Sequence, residues 1–304
     1  MKVSYFGYAF ERLKDGQKYA FDLRPLLDNF VQWDNKKQKN SFTHGGEKLF
    51  LLKESRGFYL FVITRDSDIV KKIQSQDFSV SEIGAMLRAG EHLGFASYLI
   101  VDDGDLGFAS TIMAPKSSAF ANFMNDLLDI LGISGFRFRL MPLLKQSTRE
   151  EVLSMSVVGR SSVQINKESS FFDDLRSVIG GSVEEFEDVD SLELVLKPRR
   201  KKDIKEASGR LLEKVPDKGL EKMIIKAKDE NGAQLVDMYL AGKGIVSDQI
   251  DPTKAESLRS EIRKKKKENA VLKDKVIEHF KNEKIKKASP KVLAKLSDAS
   301  AWPR

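Results

Sequence analysis

The stretch Ser-Tyr-Leu-Ile-Val-Asp-Asp-Gly-Asp-Leu-Gly-Phe-Ala-Ser-Thr-Ile-Met, residues 97–113, decides the fold class of this chain. Two apolar runs, Ser97–Val101 and Leu106–Met113, flank the acidic tetrapeptide Asp102–Asp105. Asp-Gly is a favoured pair in tight turns, so the pattern predicts an antiparallel hairpin. A hairpin at this point argues against a sheet made of parallel βαβ repeats.

Hairpin and helix patterns alternate on both sides of this stretch. Val3–Phe10 alternates like a strand, and two further apolar runs around Gly57 predict a second hairpin. Periodic apolar residues predict helices over 24–33, 66–74, 80–89 and 117–131, and extended segments over 136–144, 152–165 and 191–197. The sequence therefore predicts an α+β fold of mixed hairpins and helices in two domains, 1–145 and 146–252.

The last fifty residues, 253–304, are predicted to form a basic helical extension with one long helix. Thr253 can cap this helix, which then runs towards Lys287. A narrow stripe along the helix includes the residues Leu258, Ile262, Asn269, Leu272, Val276 and Phe280. A helix of this kind cannot stand alone, so the stripe docks on the rest of the chain or on a second copy. We expect residues 298–304 to fray.

Composition excludes several classes of protein. The 304 residues include no cysteine, which removes disulfides, thiolate nucleophiles and cysteine zinc sites. The longest apolar run, Phe58–Ile63, has six residues, whereas a membrane span needs about 20. These features predict a soluble protein that stays in the cytoplasm.

The net charge of +7 is distributed unevenly. From Lys197 to the end there are 29 Lys and Arg against 17 Asp and Glu, a net of +12, whereas residues 1–196 carry a net of −5. This asymmetry predicts an anionic partner for the C-terminal third, such as nucleic acid, an acidic protein or a membrane face.

Two basic runs carry most of this charge and are the candidate DNA-binding residues. The first run comprises Lys197, Arg199, Arg200, Lys201, Lys202 and Lys205, and the second comprises Arg263, Lys264, Lys265, Lys266 and Lys267. Arginines can fork to phosphate and lysines act as point charges, whereas no recognition-helix pattern is present. Contacts of this kind predict DNA binding with little sequence preference. The second run must spread around a helix, so fewer of its cations can reach one DNA backbone.

No catalytic or cofactor-binding constellation is found in the sequence. The three histidines lie far apart, and no phosphate-binding P-loop pattern occurs. Asp102, Asp103 and Asp105 form an acidic cluster that could hold Mg²⁺, so a metal-dependent nuclease is the alternative function. A restriction-type nuclease pattern is defective, because Lys226-Ala227-Lys228 follows Pro216-Asp217 where an acidic residue is needed.

Several segments, in the same order along roughly residues 1–250, resemble the RexA family of phage exclusion proteins. The strongest match is Asp190–Pro198 followed by Lys202–Lys205, and Gly94–Val101, Leu106–Ala109 and Val158–Val163 also match. Residues 227–230 and 239–244 continue the resemblance.

The resemblance implies an exclusion protein expressed from a prophage. It implies DNA binding with little sequence preference, a homodimer, and a two-domain α+β fold related to RdgC. It also implies joint action with RexB, a membrane channel protein. A regulator that binds an acidic protein or a membrane surface remains the second alternative.

We also hypothesise that the acidic segment 184–190 covers the first basic run until DNA displaces it. This segment holds five carboxylates in seven residues and shortly precedes the run.

Overall fold

The computed structural model of the protein describes residues 1–65, 71–73, 80–82, 93–200, 202–228, 235–250 and 255–303. The strands in chain order are β1 Lys2–Arg12, β2 Lys18–Tyr19, β3 Thr43–His44, β4 Glu47–Ser55, β5 Phe58–Arg65, β6 Lys71–Ile73, β7 Val80–Glu82, β8 Leu93–Val101, β9 Asp105–Ala109, β10 Phe136–Pro142, β11 Leu144–Lys145, β12 Val157–Asn166, β13 Ser191–Leu196, β14 Leu220–Lys228, β15 Val236–Ala241, β16 Gly244–Ile245 and β17 Ser247–Gln249.

The helices are α1 Leu23–Gln32, α2 Lys36–Lys39, α3 Ser117–Ile130, α4 Arg149–Ser154, α5 Ser170–Ile179, α6 Lys205–Lys214, α7 Ala255–Glu268, α8 Ala270–Asn282 and α9 Lys291–Ala294. Short 3₁₀ helices cover Glu184–Phe186, Lys295–Ser297 and Ala299–Ala301. All pairs of named strands are antiparallel, so the predicted α+β class is confirmed.

The chain divides into two compact units. The first unit comprises residues 1–143 together with 246–304, and the second comprises residues 144–245. The C-terminal segment, predicted as an extension, thus packs with the N-terminal residues in one unit. No helix among the described residues has both the length and the apolar composition to cross a membrane.

The first unit is built on an antiparallel sheet with the strand order β10-β1-β9-β8-β5-β4-β3. The predicted hairpin is confirmed as β8 and β9, and the Asp102 amide donates to the Asp105 carbonyl at 2.9 Å in its turn. Gly104 has φ +86° in this turn, a conformation that glycine adopts without strain. Because β1 pairs with both β9 and β10, the hairpin is joined directly to the centre of the sheet.

Helices cover both faces of this sheet. Tyr8 and Phe10 of β1 belong to a core that α1 and α3 complete on one face. Val3 and Tyr5 point to the other face, where they pack with Leu258 of the C-terminal helices. The alternation follows from the two-residue period of a strand.

The predicted single long basic C-terminal helix is wrong, because the segment forms two helices, α7 and α8. Asn269 lies between them, and its side-chain oxygen accepts from the Leu272 amide at 3.1 Å. Its side-chain amide donates to Asp248 at 3.2 Å, and the Tyr5 hydroxyl donates to the same carboxylate at 2.5 Å. An N-cap residue has non-helical backbone, so these contacts divide the helix at Asn269. Thr253, the predicted cap, lies outside the described residues.

The apolar stripe of these helices docks within the chain. Leu258, Ile262 and Leu272 are buried against the sheet of the first unit, and Val276 packs at the edge of the same core. The sequence allowed the stripe to dock on the rest of its own chain or on a second copy. In the structure it docks on its own chain.

Two local predictions are wrong. Residues 71–73 and 80–82, predicted as parts of helices, are short strands that pair with each other. The rest of those two predicted helices lies outside the described residues. The predicted frayed end is ordered by burial, since Trp302 is enclosed in the core and packs edge-on against Trp33 with ring centroids 5.3 Å apart.

The second unit has a four-stranded antiparallel sheet with the order β13-β12-β14-β15. Phe172 of α5 and Leu211 and Leu212 of α6 pack on one face, where they bury Val163 and Ile225 of the sheet. A β-bulge interrupts the pairing of β12 with β14 between Val158 and Arg160. Bulges re-aim neighbouring side chains, and this one lies beside the candidate site.

Candidate nucleic-acid interface

The first basic run is attached to the second unit at both of its ends. Lys197 directly follows β13, and Pro198 cannot continue the strand's hydrogen bonding. The Lys202 amide donates to the Arg199 carbonyl at 3.0 Å, which closes a turn. The Ile204 amide then donates to the Val158 carbonyl of β12 at 3.0 Å, so the run lies against the sheet.

The run forms one side of a groove of about 650 Å³ at the end of this sheet. The groove also contains three cations that the site prediction did not include. Its positively charged lining residues, called here the cationic groove, are Arg160, Lys197, Arg199, Arg200, Lys202, Lys226 and Lys228.

Strand pairing explains how the added cations reach the groove. Arg160 of β12 pairs with Lys226 of β14, next to the bulge. Lys226 and Lys228 lie on the same face of β14 because side chains alternate along a strand, and the buried Ala227 points into the core. The triplet Lys226-Ala227-Lys228, which does not match the nuclease pattern, thus supplies part of the groove. An alternating Lys-x-Lys strand was the sequence signal for it, but its register with β12 was not visible.

The groove holds few negative charges. Asp203 is the one acid among its described lining residues, and Lys226 pairs with Asp237 at 3.4 Å. Arg199, Arg200 and Lys202 are exposed, and within the described ranges no ion pair joins the other six groove cations to an acid. Like charges held together by the fold repel one another, so the groove favours a polyanion that brings several negative groups at once.

Two members of the predicted first run are not among the described residues of the groove. Lys201 lies outside the described residues. Lys205 is the first residue of α6, where its backbone amide donates to Asp203 at 3.1 Å, and it is half-buried.

The second basic run does not form a common surface, so its role as a DNA site stays a prediction. Lys266 is buried in the first unit, with its ammonium 2.6 Å from Asp105 and 2.8 Å from Asp102. Arg263 donates to the Ser55 hydroxyl at 3.0 Å and to the Arg56 carbonyl at 2.7 Å.

Lys264 pairs with Glu268 at 4.0 Å, whereas Lys265 and Lys267 are exposed. Successive side chains on a helix point in different directions, so the five cations of the run do not face one way. One of them, Lys266, points towards the sheet of the first unit and is buried there.

The acidic cluster in the β8–β9 turn does not have the geometry of a metal site. The Lys266 ammonium already lies between Asp102 and Asp105, where a divalent cation would have to bind. Burial raises the pKa of Asp105, which opposes the charged form that a metal requires. Over the described ranges, no group of three potential ligands could hold a metal ion. The cluster therefore gives no support to the nuclease alternative.

The acidic segment 184–190 does not cover the cationic groove. Lys167 donates to the Glu187 carbonyl, and Glu187 lies shortly before Ser191, the first residue of β13. The basic run, in contrast, follows Leu196, the last residue of the same strand. β13 has six residues and spans roughly 17 Å, so the two charged segments lie at opposite ends of one strand. The hypothesis of a built-in acidic cover is therefore wrong for this structure.

The fold and this groove define an α+β protein of two units in which one unit presents a concentrated cationic surface. A family model described as "RexA: Intracellular sensor of Lambda phage, Abi component" matches residues 1–235, and the chain belongs to this family.

Two curated relatives agree with this assignment. The chain is 31% identical over 247 residues to "Protein rexA" of Escherichia phage lambda and to "Protein rexA" of Enterobacteria phage 434. Each alignment covers 81% of this chain and 86% of the relative. Membership supports a role in phage exclusion by abortive infection. The relation of the fold to RdgC stays a prediction.

Proposed function

We propose that this protein is a non-enzymatic sensor of phage exclusion that binds duplex DNA with little sequence preference. The observation that carries the proposal is the convergence of seven cations on one groove, with a single acid among the described residues that line it. The site of action proposed is the cytoplasm of the host bacterium, in keeping with the family's description as an intracellular sensor.

Phosphate groups fit this groove better than base edges do. Its cations come from a turn and from two strands, and among its described lining residues no helix is presented for insertion into a major groove. Arginine forks and lysine point charges bind phosphate oxygens, which are the same on every sequence. Binding through them supports detection of DNA as a polyanion.

We expect the wild-type protein to shift duplexes of unrelated sequence in gels at similar concentrations, and to leave supercoiled plasmid intact when Mg²⁺ is added. The first result follows from phosphate contacts, and the second from the Lys266 ammonium in the acidic turn. Single-stranded and branched DNA in the same gels would identify the preferred form. Strong preference for one duplex sequence would contradict phosphate binding, and nicked plasmid would restore the nuclease alternative.

Competition separates DNA from other polyanions. In sedimentation with anionic liposomes, added duplex DNA should prevent any association of the protein with the vesicles. If the protein stays on the liposomes, or on an acidic protein, in excess DNA, the regulator alternative replaces this proposal.

We further propose that the protein acts as a homodimer that passes its signal to a RexB-like membrane channel protein. Both features are supported by the resemblance to the family. The apolar stripe of α7 and α8 is not the proposed dimer interface, because Leu258, Ile262 and Leu272 are buried within one chain.

Light scattering at micromolar concentration should give a mass of twice the 34.3 kDa of one chain. Substitution of the exposed Lys265 on α7, as Lys265→Glu, should leave this mass unchanged, because the helices pack internally. A mass of 34.3 kDa would exclude the dimer. A monomeric Lys265→Glu variant would instead show that the dimer interface includes α7.

A further inference from the structure

The first unit contains a cavity of about 760 Å³ that the DNA-binding groove does not explain. It lies between the β4–β5 turn, the β8–β9 turn and the helices α7 and α8. Its volume is within the range of small-molecule sites, which run from about 300 to 1,000 Å³.

The turns that frame the cavity are fixed by backbone contacts. The Val101 amide donates to the Gly57 carbonyl at 2.8 Å, which joins the two turns. Gly57 has φ +68°, and a Cβ there would lie 2.9 Å from the Val101 carbonyl oxygen. This close approach requires glycine, and it fixes the position of Arg56 beside the cavity.

One wall of the cavity is apolar. Ile100 and Val101 of β8 face Leu272, Val276 and Ile277 of α8. Ile277 is 69% exposed, although it lines a concave surface together with buried apolar neighbours. A flat ring placed against this wall would remove apolar area from water on both partners.

The cavity also has cations without acidic partners. Arg56, Lys267 and Lys273 line the cavity, and in the part of the chain that the structure describes none of them forms an ion pair. Arg263 is held in place by Ser55 and the Arg56 carbonyl. These groups can bind a phosphate through charge-assisted hydrogen bonds.

A carboxylate acceptor also lines the cavity. Asp102 pairs with Lys266 through Oδ2 at 2.8 Å, while Oδ1 accepts no hydrogen bond from any described residue. Lys266 is itself 7% exposed in its side chain and also paired with Asp105, so the ion pair orients the Asp102 carboxylate, whose side chain is 54% exposed. A ligand hydroxyl or amino group can donate to the free oxygen of Asp102.

We propose that this cavity binds a mononucleotide, with the ring on the apolar wall, the phosphate on Arg56 and Lys273, and a hydroxyl or amino group on Asp102. The three kinds of contact match the three parts of such a ligand. An alkyl phosphate would use the cations and the apolar wall but would leave Asp102 without a donor. The site is distinct from the DNA-binding groove, since all of its residues belong to the first unit.

The test uses full-length protein and ADP labelled with N-methylanthraniloyl, with fluorescence as the readout. We expect saturable binding that unlabelled AMP or ADP displaces and that inorganic pyrophosphate or decyl phosphate displaces poorly. The double variant Arg56→Ala with Lys273→Ala should weaken binding by about a hundredfold or more, since each charge-assisted contact contributes about tenfold or more. The separate variant Ile277→Glu, at an exposed position, should also weaken nucleotide binding, because it places a negative charge on the apolar wall.

The matched control removes two exposed lysines of the same unit, Lys36→Ala with Lys37→Ala, and should bind like wild type. Absence of saturable binding, or equal losses in the control and the cavity variants, would overturn the proposal. Displacement by decyl phosphate as effective as by AMP would replace the nucleotide with an alkyl amphiphile. Loss of binding in the variant Arg199→Ala with Arg200→Ala and Lys202→Ala would mean that the probe binds the cationic groove instead.

Discussion

Replacing Arg199, Arg200 and Lys202 by alanine is expected to weaken binding to all duplexes alike and to flatten its dependence on salt. For B-DNA, the logarithm of the binding constant falls by about 0.9 per neutralised phosphate for each unit of log salt. If about five groove cations each meet one phosphate, the wild-type slope is roughly −4.5, so doubling the salt weakens binding about twentyfold. Removing three of them should change the slope to roughly −1.8, so doubling the salt then costs about a factor of 3.5.

The matched control is a second triple variant of the same unit, Arg210→Ala with Lys214→Ala and Lys218→Ala. These cations are exposed on α6 or in the turn before β14, and they do not line the groove. The control removes the same net charge, so it should lower affinity slightly and keep the slope. An unchanged slope in the groove variant would show that DNA does not bind there. A larger loss from Lys265→Ala with Lys267→Ala would move the main contact to α7.

Replacing Lys266 by methionine is expected to destabilise the first unit by about 3–5 kcal/mol, because it leaves the buried Asp105 without a counter-ion. Both tryptophans, Trp33 and Trp302, lie in this unit, so urea unfolding followed by tryptophan fluorescence reports on it selectively. The exposed neighbour is the control, since Lys267→Met should change the free energy of unfolding by less than about 0.5 kcal/mol. Adding Asp105→Asn to Lys266→Met should recover part of the loss.

The loss in the Lys266→Met variant should depend on pH in a defined direction. Burial raises the pKa of Asp105 above its ordinary value of 3.8, and Lys266 lowers it, so removing the lysine raises that pKa further. A carboxyl group with a raised pKa in the folded state stabilises the protein below its unfolded pKa, and this stabilisation disappears as pH rises through the folded value. The deficit relative to wild type should therefore be smaller near pH 4 than near pH 8. Equal deficits at both pH values, or none, would show that Asp105 does not depend on Lys266.

The sequence by itself was enough to predict many of the local elements, and its uneven charge led to the expectation of an anionic partner. The hairpin around Asp102–Asp105 follows from short-range turn chemistry, so the pattern was sufficient to predict it. The run Lys197–Lys202 lies next to a strand and a proline in the chain, so its attachment to ordered structure was also visible. The first group of groove cations and the α+β class were therefore predictable.

Only the tertiary structure decided how distant residues combine. Arg160 and Lys226 become neighbours through the pairing of β12 with β14, and a shift of one residue in that register would point them to opposite faces. In the sequence, Lys266 could not be distinguished from its basic neighbours. Asp105 likewise could not be distinguished from a metal ligand. Folding placed these two charges 2.6 Å apart in a buried site, where their mutual attraction replaces contact with water. Opposite charges 161 residues apart in the chain thus neutralise each other, while like charges gather in the groove, because sheet pairing and helix docking, rather than local composition, set the distances between them.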